Sequence, residues 1–417
     1  MTGYRMAPVG YNGELAVAVG PRLLSGVAEG PGLMSHRRIW PAPDPMTADE
    51  LVGLTGQSRL LGRGGAGFPF HRKLSTAVTS GRKRSVVVNA AEGEPGSAKD
   101  AALLVTVPHL VLDGAELVAR ALECPTVVVV APTERPPVIE ALRTAVAERP
   151  ADSVRYEIVE TAGSFVSGQA RAVIELVEGR ANLPVTSWSP EAVSGIKGRP
   201  TLLSNAETFA QVASVVALGV DEYVHAGLPD EPGTALLTVA GDGPGGVVVE
   251  VPYGVELHRV LDYCGYGIDA PVLVGGYHGT WLPADEVAGR RVSRADLALA
   301  GATLGAGVVL PLDPVSCPVE ITARIVEYLA GHSAGRCGPC KNGLPALAET
   351  LDLLARGSDR STSARVKGLS ALVAGRGACA HPDGTVRLVR SLFRAFPHEV
   401  AAHEHARCAL TSRLATR

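Results

Sequence analysis

The sequence predicts an α/β protein in three parts: a domain built on a mostly parallel sheet, a small domain of short strands, and a C-terminal helical bundle. Apolar β-branched runs alternate with helically spaced segments in the first half, and helical spacing takes over in the last hundred residues. At 417 residues, the chain exceeds a single core, which stops growing at about 250 to 300 residues. We expect domains over residues 1–233, 234–315 and 316–417.

Composition excludes several classes of protein. With 46% hydrophobic and 19% charged residues the composition is that of a folded protein, and the formal net charge of -3 gives no basic field for nucleic acid. The first residues, MTGYRMAPVGYNGEL, lack the pattern of a secretory signal, and no run reaches the roughly 18 apolar residues of a membrane span. We therefore expect a cytoplasmic protein without direct membrane insertion.

Alternating strands and helices predict the parallel sheet of the first domain. Runs that are apolar at every position are typical of strands buried on both faces, and the order β, α, β indicates a parallel sheet. Ligands of such sheets bind where the strands end. The expected elements are helices over Met46–Leu60, Val107–Leu122 and Pro136–Glu148, and strands over Ser85–Ala90, Thr126–Pro132 and 153–161.

Shorter strands and then helices follow. The segments TALLTVAG, GVVVEVP and PVLVGG surround one helical stretch, Val255–Tyr263, which indicates a small α+β domain of β-grasp type. Beyond it, apolar residues recur at steps of three and four, as in Ile321, Ile325 and Leu329. A small helical bundle is therefore expected at the C-terminus.

A glycine-rich loop begins the candidate site. Gly62, Gly64, Gly65 and Gly67 place four glycines within six residues, so that main-chain N–H groups can approach a phosphate or a flat ring. An ordinary turn is the alternative for this loop alone.

Polar residues follow the first predicted strand in VVVNAAEGEPGSAKD. Asn89, Glu92 and Glu94 stand in a Gly/Pro loop where the sheet ends, which suits recognition of ribose hydroxyls or of a nicotinamide amide. The alternative is a solvated acidic loop with Lys99 and Asp100 as surface charges.

Four motifs together resemble one family. GRGGAGFP, NAAEGEPG, GSFVSGQARAVIELVEG and GIKGRPTLLSNAETFAQV, with the cysteine region after them, span the chain from about Leu61 to Thr385. They resemble the NADH-binding flavoprotein subunits of complex I, an NADH-quinone oxidoreductase, and of related NAD-linked hydrogenases and formate dehydrogenases. The resemblance implies a Rossmann-like FMN and NADH domain, an SLBB-type β-grasp domain and a helical iron–sulfur domain.

The same resemblance implies the site residues. Glu94 and Lys73 are the expected catalytic residues, with Lys73 supplying positive charge near the phosphate or the reduced flavin. Phe68 and Glu94 are expected to meet the nicotinamide dinucleotide. The expected cofactor-binding residues are Gly64, Gly65, Gly67, Phe68, Lys73, Asn89, Glu92, Glu94, Ser204, Asn205 and Thr208.

Several positions depart from the family pattern. Where the family has Gly-Glu-Glu-Thr-Ala, this chain has Gly168-Gln169-Ala170-Arg171-Ala172, and Ala91 replaces an aspartate. Three carboxylates are lost and Arg171 adds a cation that can pair with a phosphate, so both NADPH preference and weakened NADH binding stay open. Trp188 is a substitute for the aromatic residue that the family has near Pro190.

The cysteine region also departs from the family. The family motif is Cys-x-x-Cys-x-x-Cys with a distant fourth cysteine, and Ala334 stands at its first position, leaving Cys337, Cys340 and Cys379 as metal ligands. A 4Fe-4S cluster then needs another ligand, and a three-iron cluster, a zinc site or loss of the metal are the alternatives. The candidates for the fourth ligand are His332, Ser333, His381 and a small molecule.

The remaining cysteines and one further motif indicate no chemistry. Cys124, Cys264, Cys317 and Cys408 have no partner spacing and are interpreted as packing residues. The sequence of residues 331–335, Gly-His-Ser-Ala-Gly, matches a hydrolase elbow, but a helix precedes it where that elbow needs a strand.

The resemblance implies a subunit that oxidises NAD(P)H at FMN and passes electrons through an iron–sulfur cluster to a partner. The partner is expected to be a ferredoxin or a thioredoxin-like iron–sulfur subunit. Two alternatives stay open: the NADH-binding subunit of an Rnf-type oxidoreductase, and a scaffold paralogue that has lost its cofactors.

Overall fold

This computed structural model describes residues 15–81, 83–241 and 246–408. The N-terminal stretch considered above as a signal, over residues 1–14, and the glycine-rich residues 242–245 lie outside them. The strands are β1 Leu15–Val17, β2 Ser85–Asn89, β3 Thr126–Pro132, β4 Arg155–Thr161, β5 Thr201–Asn205, β6 Thr234–Ala240, β7 Gly246–Pro252, β8 Val272–Val274, β9 Thr280–Leu282 and β10 Val308–Pro311.

Helices separate most of these strands and occupy the C-terminal part. They are α1 Leu33–Ile39, α2 Ala48–Gln57, α3 Phe70–Thr79, α4 Lys99–Thr106, α5 Pro108–Ala121, α6 Pro136–Ala147, α7 Ala170–Val177, α8 Ala206–Val224, α9 Leu257–Tyr263, α10 Ala284–Ala288, α11 Arg294–Leu299, α12 Pro318–Gly331, α13 Leu344–Ala355, α14 Arg360–Val373, α15 His381–Ala395 and α16 Pro397–His403. A π-helical turn, Pro339–Gly343, precedes α13.

The first sheet is parallel throughout and has the order β4-β3-β2-β5. Its central strands are buried on both faces, since Val86, Val87 and Val88 are at most 1% exposed. The parallel sheet is confirmed. Strands β3 and β4 lie on one side of β2 and β5 lies on the other, so the strand order reverses between β2 and β5. Open α/β sheets bind ligands at such a point.

The second sheet is mixed and has the order β1-β7-β6-β10-β8-β9. Strand β1, near the start of the chain, pairs in parallel with β7, so this segment belongs to the second sheet although no sequence pattern indicates the pairing. Strands of three or four residues such as β9 and β10 are too short to show a period of two.

Helices α12 to α16 pack on the second sheet through a cluster of buried apolar side chains. Leu329 of α12, Leu351 of α13 and Leu388 of α15 are fully buried in this cluster. The indole of Trp281 on β9 extends into it and donates a hydrogen bond to Thr322 Oγ1 at 3.0 Å. One buried aromatic residue therefore anchors the helices to the sheet.

Within the described residues, no single helix is long and apolar enough to cross a membrane. Helices α4 and α5 are together long and apolar enough for a span, but the chain bends by 96° between them. Their side chains form much of the core beside the first sheet.

Close packing of α5 on α8 gives a stability prediction. A Cβ on Gly114 would overlap the carbonyl oxygen of Phe209, whereas one on Gly53 of α2 would meet nothing. We expect Gly114→Ala to destabilise the protein by about 1 to 3 kcal/mol or more through overpacking. The matched control Gly53→Ala should be neutral or stabilise by up to about 1 kcal/mol. Thermal unfolding of both variants measures this, and equal melting temperatures would contradict the packing described.

Candidate functional site

A cavity of about 560 Å³ lies at the carboxyl edge of the first sheet and reaches the second sheet and the C-terminal helices. This volume is in the range of small-molecule sites, about 300 to 1,000 Å³. Nine of the eleven predicted cofactor-binding residues line it: Gly64, Gly67, Phe68, Lys73, Asn89, Glu92, Glu94, Ser204 and Asn205.

Two asparagines mark the point where the strand order reverses. Asn89 and Asn205 end the neighbouring strands β2 and β5 and are paired in register. The side chain of Asn205 caps α8, because its Oδ1 accepts from the N–H of Glu207 at 3.1 Å. Asn89 Nδ2 donates to the carbonyl of Gly168 at 2.8 Å. Both side chains are thus fixed at the cavity wall.

The glycine loop is held from the second sheet domain as well as from the first. Gly65 and Gly67 have φ angles of 97° and 62°, which favour glycine. Arg294 of α11 donates from Nη2 to the carbonyl of Gly65 at 3.0 Å. Thr208 is fully buried and accepts from the N–H of Arg63 at 2.9 Å, so it positions the loop and does not line the cavity.

Lys73 carries a partly buried charge on the cavity wall. Its Nζ lies 3.0 Å from Glu191 Oε1 and donates to the carbonyl of Leu203 at 2.9 Å. Burial alone would raise the pKa of Glu191, but the charge and hydrogen bond of Lys73, a main-chain N–H group and the charge of Arg171 together outweigh burial, so the pKa lies below its ordinary value. An ammonium group has three donors, so one N–H of Lys73 remains for a ligand.

Glu92 lines the cavity, and its carboxylate is held by several groups of the protein. Its carboxylate accepts from the N–H groups of Asp100 and Ala101 at 2.9 and 3.1 Å, and thereby caps α4. It also pairs with Arg135 and accepts from the hydroxyl of Ser97. Its backbone has a φ of 42°, which a non-glycine residue rarely adopts. Glu92 therefore fixes the loop that carries Glu94.

Glu94 is a partly buried carboxyl group on the cavity wall. The N–H of Tyr277 donates to both of its oxygens, at 3.2 and 3.1 Å. A Cβ on Gly276 would lie 2.6 Å from its carboxyl carbon, so the Gly275–Gly276 turn approaches it closely. Desolvation raises the pKa of Glu94 to about 8, against the lowering effect of the N–H groups of Tyr277 and Gly96. At neutral pH the group is therefore mostly protonated.

A buried lysine, Lys99, lines the cavity. Lys99 Nζ lies 2.9 Å from Asp100 Oδ1, 3.0 Å from Glu207 Oε2 and 2.8 Å from Asn205 Oδ1. Burial alone would lower its pKa, but the two carboxylates raise it above its ordinary value. Lys99 and Asp100 are 3% and 2% exposed. The interpretation of these two residues as surface charges is therefore wrong.

The three predicted metal ligands, Cys337, Cys340 and Cys379, lie near one another beside Gln169 of the cavity wall. Burial raises the pKa of the Cys340 thiol to about 11, and the neighbouring Cys337 and Cys379 add to the effect. Burial acts in the same direction on Cys337, but the N–H groups of Ala378 and Cys340 outweigh it and lower its pKa. The segment with Cys337 and Cys340 thus meets the segment with Cys379, and main-chain N–H groups face the sulfur atoms of Cys337 and Cys340.

Gln169 joins the cavity to the cysteines. It lines the cavity, and its Nε2 lies 3.9 Å from Cys379 Sγ, where its N–H can donate to sulfur. The glutamate that the family has at this position could not donate when ionised. Ala380, next to Cys379 in the chain, also lines the cavity.

Two histidines and Phe165 form the wall beside this junction. The Nε2 of His381 lies 2.8 Å from the carbonyl of Leu329 and its Nδ1 lies 3.1 Å from Nε2 of His278. A carbonyl only accepts, so in both rings Nε2 carries the proton. Burial lowers the pKa of His278 to about 3 and also lowers that of His381. Phe165 contacts both rings, with centroids 4.4 and 5.4 Å away.

Two further residues considered for the dinucleotide do not line the cavity. Trp188 is 98% exposed, and its role as a substitute for the missing aromatic residue stays a prediction. Arg171 donates to the carbonyls of Ser194, at 2.9 Å, and Ser189. Its charge is used to hold the loop over residues 189–194.

Residues that come to the site from distant elements were not predicted from the sequence. Arg294 and His278 have no motif around them that marks a site, and Phe165 lies within the motif GSFVSGQ but was not identified as a site residue. The Lys99 network had a weak signal, since a charged pair opens a strongly apolar helix, KDAALL.

Comparisons with known proteins agree with this geometry. Residues 56–214 match the Nuo51 FMN-binding domain, and residues 320–403 match the NADH-ubiquinone oxidoreductase-F iron-sulfur binding region. The NADP-reducing hydrogenase subunit HndC of Solidesulfovibrio fructosivorans is 29% identical over 86% of this chain and 76% of its own length. A crystal structure of an NAD+-reducing NiFe hydrogenase in the air-oxidized state superposes with a TM-score of 0.82 at 29% identity, covering 96% of this chain and 71% of that chain.

One further relative shows the family directly. The F subunit of the NADH-quinone oxidoreductase of Mycobacterium bovis is 30% identical over 382 residues, which cover 86% of this chain and 85% of that protein. The chain belongs to the family of NADH-quinone oxidoreductase F subunits, with an FMN-binding domain followed by an iron–sulfur binding region.

Proposed function

We propose that this chain oxidises a reduced nicotinamide dinucleotide at FMN and passes the electrons through an iron–sulfur cluster to a protein partner. The observation that carries the proposal is the continuity of the site. One cavity runs from the glycine loop to Gln169, whose amide reaches Cys379. The wall that would bind the two-electron donor thus ends at Gln169, beside a proposed ligand of the one-electron carrier.

The residues at the inner end of the cavity fit FMN. The left-handed Gly65 and Gly67 and the open face of Gly64 let the main chain approach a phosphate or a flat ring. The N-terminus of α8 at Asn205 supplies free N–H groups for a phosphate. When bound, the flavin accepts hydride and returns electrons singly.

Glu94 and Phe68 are the proposed contacts of the nicotinamide. Phe68 lines the cavity and keeps 51% of its surface exposed, so its ring can stack on a planar group that enters from solvent. The protonated Glu94 offers an O–H donor to the carboxamide oxygen. Lys73 supplies a fixed cation beside the flavin site, where negative charge develops on reduction.

Both NADH and NADPH remain acceptable donors in this proposal. Gln169 and Ala170 replace two acidic residues of the family. The site therefore has fewer negative charges that would repel the 2′-phosphate of NADPH. Both Nη atoms of Arg171 donate to main-chain carbonyl groups, so this side chain has few donors left to bind a 2′-phosphate.

Three thiols suit an iron–sulfur cluster that lacks its first family cysteine. Cys337, Cys340 and Cys379 converge, and main-chain N–H groups point to sulfur as they do around such clusters. Both ring nitrogens of His381 are engaged, so it is the weakest of the candidates for the fourth ligand. We propose a 4Fe-4S cluster whose fourth iron takes His332, Ser333 or a small molecule.

The proposed partner is a ferredoxin or a thioredoxin-like iron–sulfur subunit. Arg336, Lys341 and Arg376 are exposed on the loops that carry the three cysteines. A basic rim steers an acidic redox partner to the cluster and raises the rate of association. The cytoplasmic location stays a prediction.

The finer division of the fold is part of the same proposal. The second sheet with α9 to α11 corresponds to an SLBB-type β-grasp domain, and α12 to α16 to the helical iron–sulfur domain of the family. The limits 1–233, 234–315 and 316–417 describe this division, with β1 as a segment of the first range that pairs into the second sheet.

One observation favours a second candidate function, a scaffold without redox turnover. Ala334 removes a thiolate ligand, and without its cluster the chain could still hold a partner. A colourless protein after reconstitution with FMN and iron would support this candidate.

The flavin site gives a prediction for Lys73. Lys73→Met removes a charge-assisted hydrogen bond and leaves Glu191 as an uncompensated negative charge, so the affinity for FMN should fall roughly 10- to 100-fold. Flavin fluorescence titration of the apoprotein measures this, and bleaching of the bound flavin by NADH measures the reaction. The exposed Lys83→Met is the control. Unchanged FMN affinity in Lys73→Met would remove Lys73 from the proposed site.

The cluster gives a prediction for iron content. Cys340→Ala should lose its iron and keep FMN that NADH bleaches, because the two sites share no ligands. Ala334→Cys should supply a fourth thiolate and hold about four irons per chain, with lower sensitivity to oxygen than the wild type. Iron and flavin are assayed on the same anaerobic samples, with Cys264→Ala as the control. Iron retained in Cys340→Ala would contradict the assignment.

The raised pKa of Glu94 gives a prediction for stability. Its folded-state pKa of about 8 exceeds the ordinary value of 4.5, so the folded state holds the proton more tightly. Stability is therefore full below about pH 4.5 and is lost as the pH rises toward 8. Relative to Glu94→Gln, the wild type should lose on the order of 1 to 3 kcal/mol across this window. The exposed Glu349→Gln is the control, and a constant difference in melting temperature would contradict the shift.

A further inference from the structure

A second cluster of metal-ligating side chains lies outside the cavity. Cys317, Glu399, His403 and Cys408 bring one ligand atom each within 4.8 Å of one another. None of the four lines the cavity, and none is among the predicted iron–sulfur ligands. Cys317 immediately precedes α12, whereas the other three come from α16 and the residues after it.

Distances within the cluster have the size of the edges of a zinc tetrahedron. Cys317 Sγ lies 3.3 Å from His403 Nε2 and 3.9 Å from Glu399 Oε1. Glu399 Oε1 also lies 3.3 Å from Cys408 Sγ and 3.5 Å from His403 Nε2. Zn–S bonds of about 2.3 Å and Zn–N or Zn–O bonds of about 2.0 to 2.1 Å give ligand separations of roughly 3.3 to 3.8 Å.

The surrounding groups orient these ligands as they do in metal sites. His403 Nδ1 lies 3.2 Å from the carbonyl of Leu354, which fixes the proton on Nδ1 and leaves the Nε2 lone pair directed at the two other groups. Glu399 and His403 are one turn apart on α16. The N–H groups of Val319 and Glu320, at the start of α12, point to the sulfur of Cys317.

Two of the four groups are buried, and the site can be reached from one side. Cys317 is 6% exposed and His403 is 1% exposed, while Glu399 borders a surface depression of about 720 Å³ that gives a path for entry. Zinc binds the deprotonated thiolate, so a cation at this position compensates the charge of its sulfur ligands.

We propose that Cys317, Glu399, His403 and Cys408 bind a structural Zn²⁺ ion. Two sulfur ligands, one nitrogen and one oxygen complete four-coordination from the protein, which is the closed arrangement of structural zinc rather than the open one of a catalytic site. The ion ties the end of α16 to the start of α12 and, through His403, to the end of α13. It holds the C-terminal helices independently of the cluster at Cys337, Cys340 and Cys379.

Metal analysis of the full-length protein, purified anaerobically after growth with zinc, tests the proposal. The wild type should contain about one zinc per chain in addition to its iron. The double variant Cys317→Ala/Cys408→Ala should lose at least nine tenths of the zinc and keep its iron and FMN. The matched control, Cys124→Ala/Cys264→Ala, should keep all three. Cys340→Ala should lose iron and keep zinc.

A second measurement covers the case in which the double variant does not fold. Zinc is removed from the wild type with a chelator and Co²⁺ is added, which should give the ligand-field absorption of a tetrahedral cobalt–thiolate site and restore the melting temperature lowered by chelation. His403→Gln should weaken Co²⁺ binding at least tenfold. Wild type without zinc that also binds no Co²⁺, zinc retained in the double variant, or a Cys317–Cys408 disulfide in fresh anaerobic protein would each overturn the proposal.

Discussion

The buried charge of Lys99 is the interaction on which the rest of the site depends. Its ammonium group bonds Asp100 at the start of α4, Glu207 in the first turn of α8, and the side chain of Asn205 at the end of β5. Removing one partner of such a buried ion pair typically costs about 3 to 5 kcal/mol, because a charge is left without compensation. The network therefore fixes both helix N-termini at the edge of the sheet where the cavity opens.

The same network connects the two sheets. Glu207 Oε1 accepts from the N–H of Leu236 on β6 at 3.1 Å, and the N–H of Ala98 donates to Thr238 on the same strand at 3.0 Å. These two hydrogen bonds fix the position of the second sheet relative to the first. Its Gly275–Gly276 turn can then reach Glu94, and its His278 can reach His381. The domain that the sequence predicts as a β-grasp domain thus contributes directly to the cavity wall.

Local features were predictable from the sequence, whereas long-range contacts account for most of what was missed. Strands β2 and β3, helices α5 and α6 and the glycine loop depend on contiguous residues, and their apolar spacing and glycine content identify them. Glu92 caps α4 and Glu94 faces an apolar turn from another domain, so only tertiary contacts separate their roles. Strand β1 pairs with β7 across more than half of the chain, and short strands carry little periodicity of their own. Cys317 and Cys408 were interpreted as packing residues because no ligand spacing joins them, yet α12 and α16 bring both to His403 and Glu399.

Passage of electrons from the glycine-loop end of the cavity to the cysteines of the same chain is the central claim. Anaerobic stopped-flow mixing with NADH, at several protein concentrations, tests it most directly. We predict that the flavin band bleaches first and the broad iron–sulfur absorbance then falls at a rate that does not depend on protein concentration. Bleaching of the flavin with no change in the iron–sulfur absorbance, or a change whose rate rises with protein concentration, would contradict it.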